Sequence, residues 1–261
     1  MGVCKGKRRF EAVMRINRFL ARAGVASRRA SDRLIQEGLV RVNGKVATPG
    51  MQVDPLVDEV VYQGRVIQDG EPGTYLILNK PPGYLVSAGD PHHRRTVFQL
   101  LKGVTARVFP VGRLDLDTWG VLLLTNDGDL NFRATHPRYE VEKVYHARVR
   151  GVPNAETLRR LREGVLLEGV QTAPAGARLV QEKDGNGLVE LVLHEGRKRQ
   201  VKQMLAAVGH PVLRLERICF GGLTATGLKP GCWRHLTTGE IQSLRHQVGL
   251  SACVKEESSL Q

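Results

Sequence analysis

The first fifty residues show both helical and strand-like patterns of apolar positions. Apolar side chains recur every three or four residues along 16–23, which is the spacing of one buried helix face. Ser27 is a suitable N-cap for a second short helix. Residues 39–46 then alternate around Asn43-Gly44, the preferred sequence of a two-residue hairpin turn. The pattern predicts a compact module of two short helices and a hairpin.

Short apolar runs separated by Gly and Pro dominate the rest of the chain. Three of them, at 75–78, 108–111 and 121–124, have the composition of buried strands. Residues 141–149 alternate as a half-buried strand does, and the apolar positions in 201–208 return to helical spacing. These segments are expected to form a second, larger domain.

Composition and charge narrow the classes of partner. The chain has 261 residues, of which 41% are hydrophobic, and a net charge of +13. Its first 50 residues hold twelve Lys or Arg against three Asp or Glu, so most of the excess charge lies there. Such an imbalance favours a polyanionic partner, either a nucleic acid or an anionic membrane surface.

The sequence predicts neither a membrane span nor an export signal. No apolar stretch approaches the roughly 20 residues that cross a bilayer, and the basic N-terminus has no apolar run after it. The four cysteines are scattered and form no Cys-x-x-Cys pair, which disfavours a metal site and fits a reducing compartment. We therefore expect a cytoplasmic protein without a metal site.

The basic side chains of the N-terminal module favour contact with phosphates. Arg29 and Arg33 are four residues apart and share one face of the predicted second helix. Because the module holds few aromatic residues, phosphate contact fits it better than base stacking, and a merely solvated charged face is the alternative. The candidate contacts are Arg22, Arg28, Arg29, Arg33, Arg41 and Lys45.

A charged loop between two predicted strands is the strongest candidate for chemistry. The run 112–118 reads Gly-Arg-Leu-Asp-Leu-Asp-Thr and lies between two apolar stretches. Arg113 and Asp115 share a face in an extended chain, and a neighbouring cation keeps a carboxylate ionised near neutral pH. Asp115 therefore suits a nucleophile or a base, although spacing alone favours a surface salt bridge at a strand end.

The extended pattern from Gly112 to Gly128 resembles a known catalytic motif. It consists of Gly-Arg-Leu-Asp, then Asp-Thr-x-Gly, an apolar run and Thr-Asn-Asp-Gly. This order resembles the catalytic motif of the RsuA-type family of ribosomal RNA pseudouridine synthases. The resemblance implies that Asp115 is the catalytic carboxylate and that Arg113 fills the gap left by a flipped base. Trp119 stands where the family more often has a small residue.

Two further segments resemble motifs of the same family. Lys143-x-Tyr145 is similar to a motif whose Tyr stacks on the target base. A flipped base requires such an aromatic or apolar platform. The alternation of the segment alone instead favours a Tyr145 that packs half-buried on a strand. The run 195–202, Glu-Gly-Arg-x-x-Gln-Val-basic, is similar to a motif whose basic residue pairs with the catalytic carboxylate. The resemblance implies that Lys202 makes this pair and that Val201 lines the uracil pocket.

Two more cations are candidates for substrate contact. Arg199 belongs to a basic cluster at the start of the predicted helix, where cations oppose the helix dipole and therefore suggest an anionic partner. Lys80 lies in a turn that resembles the family's Lys-Pro-x-Gly turn, and contact with a phosphate is one interpretation. A solvated basic turn is the alternative for both.

The resemblance also implies an architecture. It predicts an α+β fold, in which a small N-terminal α/β RNA-binding module precedes a catalytic domain with a mixed, mostly antiparallel sheet. The segment 22–29, Arg-Ala-Gly-Val-Ala-Ser-Arg-Arg, resembles a small RNA-binding domain first described in a ribosomal protein. We expect a flexible basic tail at 1–14, the RNA-binding domain at 15–67, a linker at 68–73, the catalytic domain at 74–248 and a C-terminal tail at 249–261.

Within the family, the segment 228–234, Leu-Lys-Pro-Gly-x-Trp-Arg, is most like the RluB branch. That resemblance implies isomerisation of one uridine of large-subunit (23S) ribosomal RNA, a reaction whose chemistry requires neither a cofactor nor a metal. We expect a monomer, because the sequence gives no sign of oligomers. A small-subunit (16S) enzyme and a non-catalytic RNA-binding assembly factor are the alternatives. From the residues alone, a glycosidase that uses Asp115 and Asp117 as paired carboxylates is a further one.

Overall fold

The structure is a computed structural model that describes residues 13–68, 70, 72–87, 92 and 94–250. It divides into two compact units, which meet in the sequence between Gly73 and Thr74. Residues 1–12 and 251–261 of the two predicted tails lie outside the described residues. Residues 69 and 71 of the predicted linker also lie outside them.

The first unit is a small α/β module with its own core. In chain order its elements are β1 (Met14–Arg15), α1 (Ile16–Arg22), α2 (Arg28–Gln36), β2 (Val40–Val42), β3 (Lys45–Val46), β4 (Gln52–Val53), β5 (Val60–Tyr62) and β6 (Arg65–Val66). A small sheet has the order β3-β2-β5-β6, and β1 pairs with β4. The apolar face of α1, formed by Ile16, Phe19 and Leu20, is buried against Val40 and Val60 of this sheet.

Two local signals in the first unit act as the sequence predicts. Ser27 accepts a hydrogen bond from the backbone N–H of Ala30 at the start of α2. Asn43 and Gly44 have φ angles of 50° and 77°, the left-handed values that a tight hairpin turn between β2 and β3 requires. Met14 departs from the prediction, because it pairs with a residue of β4 and is buried in the core, whereas we expected it in the tail.

The second unit is built on a mixed sheet. In chain order its helices and strands are β7 (Tyr75–Lys80), β8 (Phe109–Pro110), β9 (Trp119–Thr125), α3 (Gly128–Thr135), β10 (Lys143–Arg150), α4 (Ala155–Glu163), β11 (Leu166–Leu167), β12 (Val170–Gln171), β13 (Gly176–Lys183), β14 (Asn186–Leu193), α5 (Gln200–Ala207), β15 (Val212–Phe220), β16 (Leu223–Thr224), β17 (Trp233–His235) and α6 (Thr238–Gln247). Short 3₁₀ turns cover Val97–Leu100 and Pro137–Tyr139.

The sheet of the second unit has the order β13-β14-β10-β15-β9-β7-β17, with β8 paired to β9 and β16 paired to β15. Among these strands, in the part of the chain that the structure describes, β9 and β15 run parallel and the other pairs run antiparallel. The predicted mixed, mostly antiparallel sheet is therefore confirmed.

Helix α5 packs against the sheet beside β10 and β14. Its predicted apolar face is buried in the same core as Ala147 and Leu191, since Val201, Met204 and Leu205 are each less than 5% exposed. Strand β9 is buried on both faces, which makes it a rigid support for the loop that precedes it. Every helix within the described residues is too short or too polar to cross a membrane.

Candidate active site

The charged loop 112–118 joins β8 to β9 and is anchored to the sheet on both sides. Val111 is fully buried, and its backbone N–H donates to the carbonyl of Leu123 at 2.8 Å. Leu114 is also buried, and the N–H of Thr118 donates to the carbonyl of Asp115 at 3.1 Å, which closes a turn within the loop. The apolar anchors therefore hold the polar middle of the loop in a defined position.

Lys80 supports this loop from inside the protein. Its Nζ donates to the carbonyl oxygens of Pro81, Leu116 and Thr118 at 3.0, 3.3 and 2.9 Å. The residue is 0% exposed, and burial lowers the pKa of Lys80 to about 8, although nearby carboxylates act in the opposite direction. The predicted phosphate contact of Lys80 is wrong, because its ammonium group is enclosed and already has three acceptors.

Asp115 and Asp117 share the ammonium group of Lys202. The Nζ atom lies 3.6 Å from Asp115 Oδ2 and 2.5 Å from Asp117 Oδ1. Partial burial alone would raise the pKa of the Asp117 carboxyl, but the hydrogen bond and the charge of Lys202 outweigh it and hold the pKa below its usual range. Lys202 thus reaches Asp115, and it has a closer partner in Asp117 that the sequence pattern does not indicate.

Asp115 lines a cavity of about 240 Å³. Arg113, Tyr145, Arg199 and Val201 line the same cavity, so five predicted site residues from distant parts of the sequence meet there. The cavity is smaller than the roughly 300–1,000 Å³ of pockets for drug-sized ligands, which suits a single nucleobase and its sugar.

The loop that precedes α5 is held by side chains of the third motif. The Gln200 amide donates to the Glu195 carboxylate at 2.6 Å and accepts from the backbone N–H of Arg197 at 2.9 Å. Arg197 in turn donates to the carbonyl of Gln171 on β12 at 2.8 Å. Because α5 begins at Gln200, Arg199 precedes the helix with a φ of 54°, and the predicted basic start of the helix is instead a basic loop.

Two buried cations for which the sequence pattern predicts no function also line the cavity. Lys143 of β10 is 9% exposed and Arg217 of β15 is 2% exposed. The backbone of Arg217 approaches β9 so closely that a Cβ on Gly120 would overlap the Arg217 carbonyl group. This approach explains the glycine of Asp-Thr-x-Gly.

The basic residues predicted to bind RNA lie on α1, α2 and the β2–β3 hairpin of the first unit. All are exposed except Arg22, which is partly buried. Arg41 also donates to the carbonyl of Gly44 at 3.0 Å, which stabilises the hairpin turn. The exposed members of the set are Arg28, Arg29, Arg33, Arg41 and Lys45.

Comparisons with known proteins match both units. A model of the RNA pseudouridylate synthase family matches residues 74–207, and a model of the S4 domain matches residues 14–61. The family match covers the cavity-lining segments from the charged loop to α5, so the activity belongs to the second unit.

Relatives and a solved structure agree with this match. An uncharacterised RNA pseudouridine synthase of Aquifex aeolicus is 47% identical over 239 residues, which covers 91% of this chain and 96% of that protein. Ribosomal large subunit pseudouridine synthase B of Bacillus subtilis is 43% identical over 234 residues, which covers 88% of this chain and 95% of that protein. A crystal structure of a pseudouridylate synthase is 32% identical with a TM-score of 0.64, and it covers 88% of this chain and 99% of that one.

These matches decide between the enzyme classes that the residues alone left open. The paired carboxylates of the charged loop do not make the protein a glycosidase, because residues 74–207 match the model of another enzyme family and the relatives carry the same assignment. The chain belongs to the RNA pseudouridine synthase family.

Proposed function

We propose that this enzyme isomerises one uridine of large-subunit ribosomal RNA to pseudouridine, with Asp115 as the catalytic carboxylate. The observation that carries the proposal is the position of Asp115 on a base-sized cavity that Tyr145 and Val201 also line, with Lys202 at 3.6 Å. Relatives named ribosomal large subunit pseudouridine synthase B, in Bacillus subtilis and Pseudomonas aeruginosa, support the large-subunit substrate.

The reaction breaks the bond between uracil N1 and ribose C1′, turns the base and joins C5 to C1′. The Asp115 carboxylate acts either as a nucleophile at the ribose or as a base. Lys202 positions this carboxylate through the ion pair between its Nζ and Asp115 Oδ2 at 3.6 Å. Tyr145 and Val201 enclose the flipped uracil between an aromatic and an aliphatic surface, which replaces the stacking that the base loses.

The remaining candidate residues bind RNA outside the reacting base. Arg113 fills the gap that the flipped base leaves, and Arg199 contacts a phosphate near the target nucleotide. The exposed cations of the first unit supply affinity for phosphates without reading the sequence. A single copy supplies every residue of this proposal, so we infer a monomer. Because the proposed substrate is ribosomal RNA, we also infer that the enzyme acts in the cytoplasm.

Pseudouridine mapping tests the proposal. Unmodified large- and small-subunit RNA are incubated with the purified protein or with Asp115→Asn, treated with carbodiimide and read by primer extension. We expect one new stop in large-subunit RNA with the wild-type protein and none with Asp115→Asn. A stop confined to small-subunit RNA would overturn the substrate, and an equal stop with Asp115→Asn would overturn the catalytic role of Asp115.

A further inference from the structure

Two cations form part of the inner wall of the cavity. Arg217 on β15 lies directly opposite Tyr145 on β10, and cross-strand partners present their side chains on the same face of a sheet. Lys143 lies two residues before Tyr145, so it shares that face as well. Both cations flank the Phe220 ring, with Arg217 Cζ at 4.9 Å and Lys143 Nζ at 5.9 Å from its centroid.

The donors of these two cations are only partly used. Lys143 Nζ donates to the carbonyls of Val141 at 2.6 Å and His194 at 3.4 Å, which leaves one of its three N–H groups. Arg217 Nε donates to the carbonyl of Val121 at 2.8 Å, while its buried Nη2 has no hydrogen-bond partner among the described groups. Neither cation forms an ion pair with a carboxylate of the described residues.

Such an arrangement is unfavourable in the absence of a ligand. Buried cations are ordinarily paired with an anion, and a buried donor without an acceptor costs the desolvation of that group. Burial, and then the charge of Arg217, lower the pKa of Lys143 to about 8. A ligand that brings oxygen acceptors and negative charge to this wall would relieve both penalties.

We propose that Lys143 and Arg217 form an anion-stabilising wall that binds the carbonyl oxygens of the target uracil and the negative charge that the ring gains during the reaction. This inference rests on the proposed function. When the N1–C1′ bond breaks, its electron pair goes to the ring and is delocalised over N1, O2 and O4. At the same time C1′ bonds to the Asp115 carboxylate, or the ribose gives its C2′ proton to that carboxylate.

The second half of the reaction removes the charge again. C5 forms a bond to C1′ as C1′ releases the Asp115 carboxylate, or as C2′ takes its proton back from Asp115, and the proton on C5 then passes through water to N1. The two cations therefore interact more strongly with the anionic ring than with neutral uracil, which is the condition for lowering the barrier. They also select uracil over cytosine, because O4 accepts a hydrogen bond where cytosine presents a donor amino group.

Variants of Arg217 test the proposal. Arg217→Met should slow single-turnover product formation about 100-fold or more, the usual effect of losing one donor to a developing negative charge, while RNA affinity stays within about 2-fold. Arg217→Lys should recover part of the rate. Arg214→Met is the matched control, because Arg214 lies on the same strand with its side chain 56% exposed, and its rate should equal that of the wild type.

A folded Arg217→Met protein that reacts within about 3-fold of the wild-type rate would overturn the inference. The proposed function would still stand in that case if Asp115→Asn were inactive on the same RNA. Product formation by Asp115→Asn would instead count against the proposed function itself.

A second measurement needs no variant. Barbituric acid ribonucleoside 5′-monophosphate carries a negative charge on a ring of uracil size, whereas uridine 5′-monophosphate carries a neutral ring. We expect the anionic nucleotide to inhibit the wild-type enzyme at a concentration at least about 10-fold lower than uridine 5′-monophosphate does. Equal inhibition by the two nucleotides would overturn the inference even if every Arg217 variant failed to fold.

Discussion

The buried ammonium group of Lys80 should make the stability of the enzyme depend on pH above about pH 8. Burial lowers its pKa from 10.5 to about 8. Below that pH both the folded and the unfolded chain hold the proton, whereas between there and pH 10.5 the unfolded chain holds it and the folded chain has released it. Because the unfolded state then binds more protons, the free energy of unfolding rises with pH in this window.

The magnitude follows from the two pKa values. Their difference corresponds to about 3 kcal/mol of stability that is missing at pH 7, of which about 2 kcal/mol is regained by pH 9.5. Lys80→Met keeps an unbranched side chain in the same space and removes the titrating group. The free energy of unfolding of the wild type, relative to Lys80→Met, should therefore increase by about 2 kcal/mol between pH 7 and pH 9.5.

Urea unfolding followed by circular dichroism at both pH values measures this change. Lys143, whose pKa is also lowered to about 8, is present in both proteins, so its contribution cancels in the difference. Lys102→Met is the control, because Lys102 is exposed, and its difference from the wild type should be the same at both pH values. A difference for Lys80→Met that is equally independent of pH would contradict a lowered pKa of the buried Lys80 ammonium group.

Three further predictions concern the active site and RNA binding. Lys202→Met should slow single-turnover product formation about 100-fold, or about 3 kcal/mol, because Asp115 loses its cation, whereas Lys202→Arg should keep most of the rate. Tyr145→Ala should cost about 1–3 kcal/mol of base stacking, seen as a 10- to 100-fold slower rate, and Tyr145→Phe should restore it. Replacing Arg29 and Arg33 together by Ala should weaken RNA binding and reduce the salt dependence of the binding constant by a slope of about 1.5, measured by filter binding between 50 and 200 mM salt.

Local signals in the sequence predicted local structure well. The cap at Ser27, the turn at Asn43-Gly44 and the buried face of α5 each depend on residues close together in the chain, so spacing and residue type are sufficient. The mixed sheet was expected from the family resemblance of the charged loop. Spacing alone favoured a surface salt bridge for that loop, since a sequence pattern does not show what lies opposite a carboxylate.

The features that sequence analysis missed depend on distant segments. Lys80 is buried because loop carbonyls up to 38 residues away face it, and no pattern around Lys80 records those acceptors. Asp117 is the closer partner of Lys202 across 85 residues, which depends on how α5 packs beside the charged loop. Arg217 lies in the cavity because β15 pairs with β10, and strand order is the part of a fold that local patterns do not specify.

The role of Asp115 is most directly tested by comparing two neighbouring variants. Asp115 and Asp117 contact the same ammonium group, but Asp115 lines the cavity, whereas Asp117 is 64% exposed. Single-turnover pseudouridine formation on ribosomal RNA is measured for Asp115→Asn and Asp117→Asn beside the wild type. We expect Asp115→Asn to lose at least about 10⁴-fold in rate with RNA affinity nearly unchanged, and Asp117→Asn to stay within about 10-fold of the wild type. A large loss with Asp117→Asn and near-normal turnover with Asp115→Asn would exclude Asp115 as the catalytic carboxylate.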